Sequence, residues 1–403
     1  MNRQPLAGIR IVDFTWAWAG PQATLLLGML GAEIIRIESR ARLDHSRIRS
    51  LMTGPTLVSP DHSVIFGELN LNKLSLTLNL TQPRAAEIVK SLVKLSDVVA
   101  ENMRPGVLDR LGLGYEALRA VKPDIIMLSS SAVGSTGPER KYVGYAPTFA
   151  ALGGIAHISG QPEGPPTPLS GAIDLRVGTT SAFAILAALY HRARTGQGQY
   201  IDLSSTEAIC ALIGDTFLEY AMNRRSPGHA GNRDRIMAPH NCYPCAGDHK
   251  WVTIAVATDD EWRALCGAVA DPRLEDERFS DGYGRWHHQE ELDQIIGEWT
   301  ASRSPQEITQ TLQAAGVAAL PVHDGRSLVE DPQVRQRGLM QQVEHPLTSR
   351  RLVAGPPWRF SRTPASIRRP APLLGEHNRY VLNELLGLPD EEIERLVEEG
   401  VVY

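Results

Sequence analysis

The first 130 residues alternate between short apolar runs and stretches of helical length, and this alternation limits the fold more than any other feature of the chain. Gly8–Phe14 (GIRIVDF) reads as a buried strand, Ala19-Gly20-Pro21 as a turn into the apolar helix QATLLLGMLGA, and Glu33–Glu38 as a second strand. A strand–helix–strand unit implies a parallel pair with a right-handed crossover. The unit recurs: helix AAEIVKSLVKLSD precedes strand VVAEN, and helix YEALRAVKP precedes strand DIIMLSSSAV. Repetition of this kind predicts an open parallel α/β sheet.

The sheet is therefore expected to be Rossmann-like, yet the turn after its first strand reads TWAWAGPQAT and lacks the glycines of a dinucleotide fingerprint. There is no phosphate-binding G-x-x-x-x-G-K-[ST] and no G-x-S-x-G nucleophile elbow. Ser129-Ser130-Ser131 ends a strand, where open sheets hold ligands; hydroxyls that merely satisfy a loop are the simpler reading. Further along, an apolar helix is expected over 179–193, a strand over 200–204 and one helix over Ser205–Asn223. Residues 224–250 are rich in Arg, His, Asn, Pro and Gly and read as a loop or linker. Strand Trp251–Val256, helices Asp259–Val269, Leu292–Thr300 and Pro305–Ala315, and strand Val317–Val322 follow. The tail reads as loop-rich, ending in an amphipathic helix at 389–399. A chain of 403 residues exceeds one simple core. The expected division is a large domain over 1–224, a smaller α/β domain over 225–325, and a segment 326–403 returning to the large domain.

Composition removes several functional classes. With 42% hydrophobic and 22% charged residues the chain is an ordinary globular one, and a net charge of −5 argues against nucleic-acid binding. The N-terminal MNRQPLAGIRIVDF lacks the apolar core of a signal peptide, and no eighteen-residue window is apolar without a charge, so neither secretion nor a membrane span is expected and the cytoplasm is the default. Four cysteines make no disulfide framework. Cys242-Tyr-Pro-Cys245 has no second pair to close a zinc site, and two buried or half-buried thiols are expected there. Twelve histidines are scattered without an H-E-x-x-H, adjacent His287-His288 point apart, and no metal is expected. His377 serves either packing or ligand contact.

One carboxylate stands out. Asp174 lies in SGAIDLRVG, among small residues and before the apolar run TTSAFAILAALYH. As an N-cap it would be worth about 1 kcal/mol. A carboxylate at a helix N-terminus would also have a lowered pKa, and small neighbours leave room for a substrate. An ionised carboxylate so placed can attack an activated acyl group. The two readings are compatible.

Several stretches, in order and over nearly the whole chain, together resemble the family III CoA-transferases: LAGIRIVDFTWAWAGPQAT, LGAEIIRIES, LNLNKLSLTLNL, AENMRPGVLDRLGLGYEAL, SGAIDLRVG with AILAALYHRARTGQGQYIDLS, and PAPLLGEHN. The resemblance implies that Asp174, four residues before Gly178, is the nucleophile, passing through aspartyl anhydride and aspartyl-CoA thioester intermediates. It implies a coenzyme A thioester as substrate, with no permanently bound cofactor. Asn72, Lys73, Leu78, Asn102, Met103 and Arg110 would line the nucleotide region, with Ala17 and Trp18 over the thioester end. Arg40, Arg104 and Lys73 are the phosphate partners on charge grounds. Tyr145 stands where the α-methylacyl-CoA racemases of the same scaffold carry a histidine, and a tyrosine is a weak base near neutral pH, which favours transfer.

Trp16 and Trp18 suit an acceptor bulkier than oxalate, and the stretch Arg42–Arg47 adds positive charge for either a CoA phosphate or a free carboxylate. Succinyl-CoA with an aromatic succinate such as benzylsuccinate is the expected pairing. Members of the family form interlocked dimers, so a homodimer, or a heterodimer with a related subunit, is implied. A 2-methylacyl-CoA racemase or epimerase and a non-catalytic CoA-binding subunit are the alternative readings.

Overall fold

The computed structural model describes residues 4–48 and 59–403; the first three residues of the N-terminal stretch lie outside it. The described residues form two compact units, one within 4–48, 59–156, 168–226 and 336–403, the other within 157–167 and 227–335.

The first unit is built on six parallel strands: β1 (Arg10–Asp13), β2 (Glu33–Glu38), β3 (Lys73–Thr77), β4 (Val98–Glu101), β5 (Ile126–Ser131) and β6 (Tyr200–Ser204). Their order is β3-β2-β1-β4-β5-β6, the doubly wound arrangement in which the winding reverses between β1 and β4. Period two divides each strand between two cores. Ile11, Ile34, Val98 and Ile126 face one; Val12, Ile35, Val99 and Met127 face the other. Each of these residues is at most 3% exposed. Burial on both faces is why the strands read as unbroken apolar runs.

On the first face lie α1 (Ala19–Met29) and α5 (Ser170–Thr195); on the second α2 (Pro83–Lys94) and α3 (Tyr115–Val121), while α4 (Ala146–Leu152) sits with α5. Helix α5 begins nine residues earlier than the apolar run suggests. Its length and mean hydropathy of 1.4 would let it cross a membrane, but Ile173, Val177, Ala182, Ile185, Ala188 and Leu189 are buried in the core beside the sheet. The helix expected over 205–223 is two helices, α6 (Ser205–Cys210) and α7 (Gly214–Asn223). The chain leaves helical geometry at Ile213 (φ −118°, ψ 35°), which buries its side chain, and restarts at Gly214.

In the second unit β7 (His240–Pro244), β8 (Trp251–Ala255) and β9 (Ala318–Pro321) form an antiparallel sheet. Strand β7 lies inside the stretch expected to be a loop, because Asn, Cys and Pro residues hide its pattern. Helices α8 (Asp259–Val269), α9 (Gln289–Ala301) and α10 (Pro305–Ala314) pack Trp262, Leu265, Leu292, Ile296, Ile308 and Leu312 on it. A capping box of Thr258 and Glu261 starts α8.

The tail is more ordered than its composition suggests. Strands β10 (Met340–His345) and β11 (Ser349–Ala354) pair antiparallel. The following segment covers the free edge of β3: the His377 amide donates to Ser75 O, His377 Nδ1 accepts from the Ser75 amide, and Asn378 Oδ1 accepts from the Thr77 amide. His377 is thus a packing residue that closes a sheet edge. Helix α11 (Asp390–Glu398) buries Leu396 against the second core.

Candidate active site

A doubly wound sheet opens a crevice beyond the carboxyl ends of the strands where the winding reverses. Here that crevice is flanked by Phe14–Trp18 after β1 and Asn102–Arg104 after β4. Asn102 ties the two together: its Oδ1 accepts the Trp16 amide and its Nδ2 donates to Trp16 O, both at 2.9 Å. Ala17 adopts the left-handed region (φ 66°), which strains any residue with a Cβ. Both carboxylate oxygens of buried Asp44 accept its amide at 3.1 Å, and Arg36 in turn pairs with Asp44. The loop after β1 is therefore held from two sides.

Beneath it Asp13 ends β1 and is fully buried. Burial by itself raises its pKa, but Lys73, Arg36 and the hydroxyls of Thr15 and Thr24 outweigh that and hold it below the ordinary value. Lys73 Nζ lies 3.2 Å from Asp13 Oδ2 and 3.0 Å from Pro21 O.

Asp174 is not an N-cap. Leu169 occupies that position (φ 42°), and Asp174 lies inside α5, one turn before Gly178. Gly178 seats α5 on the start of α1: a Cβ there would come within 2.7 Å of Ala19 O and 2.8 Å of Gln22 Cβ. Residues i and i+4 share a helix face. Asp174 therefore faces the end of α1 that opens from the Ala17–Trp18 loop. The lowered pKa expected of a helix terminus is also corrected. Half-burial, with no cation paired to it among the described residues, raises it to about 6.

The structure places Ala17, Trp18, Asn102, Met103, Arg104 and Arg110 on the segments that leave the carboxyl ends of the central strands β1 and β4, with Arg110 against the turn at Gly106. Arg40, Arg104 and Arg110 are exposed, Arg40 just beyond the carboxyl end of β2. Tyr145 is 62% exposed at the start of α4, its ring 6.3 Å from that of His45.

Three expected ligands are not available to one. Lys73 is 0% exposed and neutralises Asp13, so it meets no phosphate. Asn72 spends its side chain on the backbone of Ser366 and Arg368. Leu78 is wholly buried in the second core.

Beside Met103 lies a cavity of about 400 Å³ lined by the carboxyl ends of β4 and β5 and by the first half of β6. Glu101, Ser129 and Asp202 border it, as do Arg140 and Lys141, two cations the sequence reading missed. Their one sequence signal is position: STGPERK follows a strand at its carboxyl end. Burial lifts Glu101 to about 7, against the opposing pull of Ser129 and the Met103 amide. In the second unit, burial pushes the thiols of Cys242 and Cys245 up, the latter to about 11, so neither is a ready nucleophile.

A family model for CoA-transferase family III matches residues 6–378, and the chain belongs to that family and is an enzyme of that class. It is 35% identical, over 99% of its length, to the probable CoA-transferase Rv1866 of Mycobacterium tuberculosis, of which it spans 50%. It is 34% identical to the succinyl-CoA–L-malate CoA-transferase beta subunit of Chloroflexus aurantiacus, over 99% of this chain and 98% of that one. A crystal structure of a CaiB/BaiF family protein from Brucella suis superposes with a TM-score of 0.84 at 28% identity, covering 95% of this chain and 100% of that one.

Proposed function

We propose that this enzyme moves coenzyme A from a dicarboxylic acyl-CoA, succinyl-CoA in the first instance, to a second dicarboxylic acid, with Asp174 as nucleophile. The observation that carries the reading is the half-buried carboxylate of Asp174, without a cationic partner among the described residues and one helical turn from the glycine seated on Ala19. The Chloroflexus relative, whose name gives succinyl-CoA and L-malate, supports the choice of donor and acceptor.

A carboxylate with a pKa near 6 is still ionised at neutral pH and is more basic than an exposed one, which suits a nucleophile. Its oxygen attacks the thioester carbonyl, the C–S bond breaks, and CoA leaves as thiolate from a mixed anhydride. The thiolate attacks the aspartyl carbonyl of that anhydride, releasing the donor acid and leaving an aspartyl-CoA thioester. The acceptor carboxylate attacks this thioester and expels the thiolate again. The thiolate then attacks the acceptor's acyl carbon in the second anhydride, giving the new acyl-CoA and free Asp174. Acyl energy survives only if water is kept from the anhydrides. The loop held by Asn102 and Asp44 presents Ala17 and Trp18 to the thioester end, while Arg40, Arg104, Arg110, Arg140 and Lys141 supply cations for the phosphates. Trp16 and Trp18 admit acceptors up to the bulk of benzylsuccinate.

The working form is a dimer, a homodimer or a pair with a related subunit. Exposed Phe183, Tyr190, Phe217, Leu218 and Met222 support a second chain covering α5 and α7. Mass in solution tests this.

For the chemistry, the protein is mixed with succinyl-CoA, quenched and digested. A peptide containing residue 174 should carry CoA and should be unmodified in Asp174→Asn. Transfer proceeding with that peptide unmodified overturns the assignment.

A further inference from the structure

We infer that Arg42 and His45, gathered around Trp16, form the subsite for the second, non-reacting carboxylate of a dicarboxylic acyl group. This rests on the proposed transfer between dicarboxylic acids and deepens it by naming what selects them.

Strand β2 and the segment after it carry arginines with different fates. Arg47 is 0% exposed, bonded to Glu38 and Asp61. Arg36, on β2 itself, is likewise buried on Asp44. These pairs consume the nearby carboxylates. Arg42 is exposed, and its guanidinium lies 4.6 Å from the centroid of the Trp16 ring; it makes no ion pair among the described residues. A guanidinium stacked on a ring keeps its in-plane donors for a planar carboxylate. The His45 ring lies 5.0 Å from Trp16 and 6.3 Å from Tyr145, and its nitrogens make no hydrogen bond among the described residues. Two unspent donor groups and two large rings thus share one neighbourhood.

Two short paths join that neighbourhood to the helix of the nucleophile. Trp16 immediately precedes Ala17, and Ala19 touches Gly178, one turn from Asp174. Tyr145 immediately precedes Ala146, which shares a core with Ile173, the residue before Asp174. An acyl chain with one carboxyl at Asp174 therefore has Arg42 and His45 ahead of its free end, with aromatic surface for the methylenes between.

A CoA phosphate is the other anion in reach of an exposed arginine. The stacking of Arg42 argues against it: its guanidinium lies over the Trp16 ring, in the loop that leads to α1, whereas Arg140 and Lys141 border the cavity over β4–β6.

The test compares a dicarboxylic pair, succinyl-CoA with glutarate, and a monocarboxylic pair of the same chain lengths, butyryl-CoA with valerate. The readout is the ratio of kcat/KM for the two. Loss of one charge-assisted contact should lower that ratio about 10- to 100-fold in Arg42→Ala. Arg42→Lys should restore part of it, and His45→Ala should lower it by a smaller factor. A ratio unchanged in Arg42→Ala overturns the subsite, as does an equal loss on both pairs, which is the signature of a CoA phosphate contact or of a damaged fold. A wild-type enzyme that transfers butyryl but shows no preference for succinyl-CoA overturns the subsite while leaving Asp174 chemistry intact. A wild-type enzyme that transfers CoA between neither pair overturns the transfer reading and the subsite together.

Discussion

Asn102 satisfies both backbone groups of Trp16 with one side chain, bridging the ends of the two strands between which the sheet reverses. The same side chain leaves no space beside it: a Cβ on Gly20 would come within 3.0 Å of Asn102 Cγ and 2.5 Å of Thr15 Cβ. The loop that carries Ala17 and Trp18 is thus fixed at Trp16 from β4, as Asp44 fixes it at Ala17, and not by its own sequence. Truncation to Asn102→Ala leaves a half-buried amide and carbonyl without protein partners, a loss of roughly 1–3 kcal/mol. Because the loop and not the nucleophile is freed, KM for acyl-CoA should rise about tenfold or more while Asp174 remains modifiable. Asn102→Asp keeps the acceptor and loses the donor, so its KM should fall between the two. Steady-state kinetics with the three proteins checks the order.

Lys73 and Arg104 were equal candidates for a phosphate and belong to opposite classes. Lys73 and Asp13 are both 0% exposed and 3.2 Å apart. Lys73→Met leaves Asp13 charged and buried beside an apolar chain, and breaking a buried pair costs about 3–5 kcal/mol. Its melting temperature should fall by several degrees, with CoA affinity unchanged in the protein that remains folded. Arg104→Ala removes an exposed side chain, so its stability should stay within about 0.5 kcal/mol of the parent. CoA binding should weaken, and more so at low salt. Thermal melts and CoA titrations of the two variants separate the roles.

That pair also marks the limit of what the chain discloses one-dimensionally. The strands were readable because Ile11 and Val12, or Val98 and Val99, are buried on opposite faces, and such runs cannot be anything exposed. In KLSLT, by contrast, the lysine looks like a cation at a strand's start; its partner lies sixty residues earlier. Asp174 was found from its neighbours, but its place was misread, since Ser170 and Gly171 are poor helix formers and packing of α5 on α1 overrides them. Arg140 and Lys141 were missed because the direction of a loop is set by the sheet it leaves.

Gly178 offers a test in which two known effects oppose one another. A glycine inside a helix costs up to about 1 kcal/mol relative to alanine, so propensity alone predicts that Gly178→Ala stabilises. The added methyl, however, would lie 2.7 Å from the Ala19 carbonyl oxygen, a backbone atom that cannot swing aside. Overpacking of this kind costs roughly 1–3 kcal/mol and wins. The contact lies one turn from Asp174, so the carboxylate is displaced from the Ala17–Trp18 loop as α5 moves off α1. The variant should fold, melt a few degrees lower, and lose kcat by more than tenfold with KM for acyl-CoA little changed. Gly171→Ala, where a Cβ meets nothing within 4 Å, is the control and should melt no lower than the parent.

The raised pKa of Asp174 couples reactivity to stability. Burial lifts it from 3.8 to about 6, so the folded protein holds a proton between those values that the unfolded chain has released. A raised carboxylate pKa destabilises the folded state wherever the group is ionised in both states, that is, above about pH 6. The penalty fades as pH falls from 6 towards 4 and is absent below that. Two units correspond to on the order of 2–3 kcal/mol at the upper end. Asp174→Asn removes the charge with little change in shape. It should abolish transfer and yet melt several degrees above the parent at pH 8, the gap closing by pH 4.5. Acylation of the wild-type residue by succinyl-CoA should follow the same titration, rising with pH to a plateau with its midpoint near 6. Melts at several pH values and the rate of adduct formation measure both limbs. Equal melting of the two proteins at pH 8 would show that the carboxylate is solvated like any other and is not primed by burial.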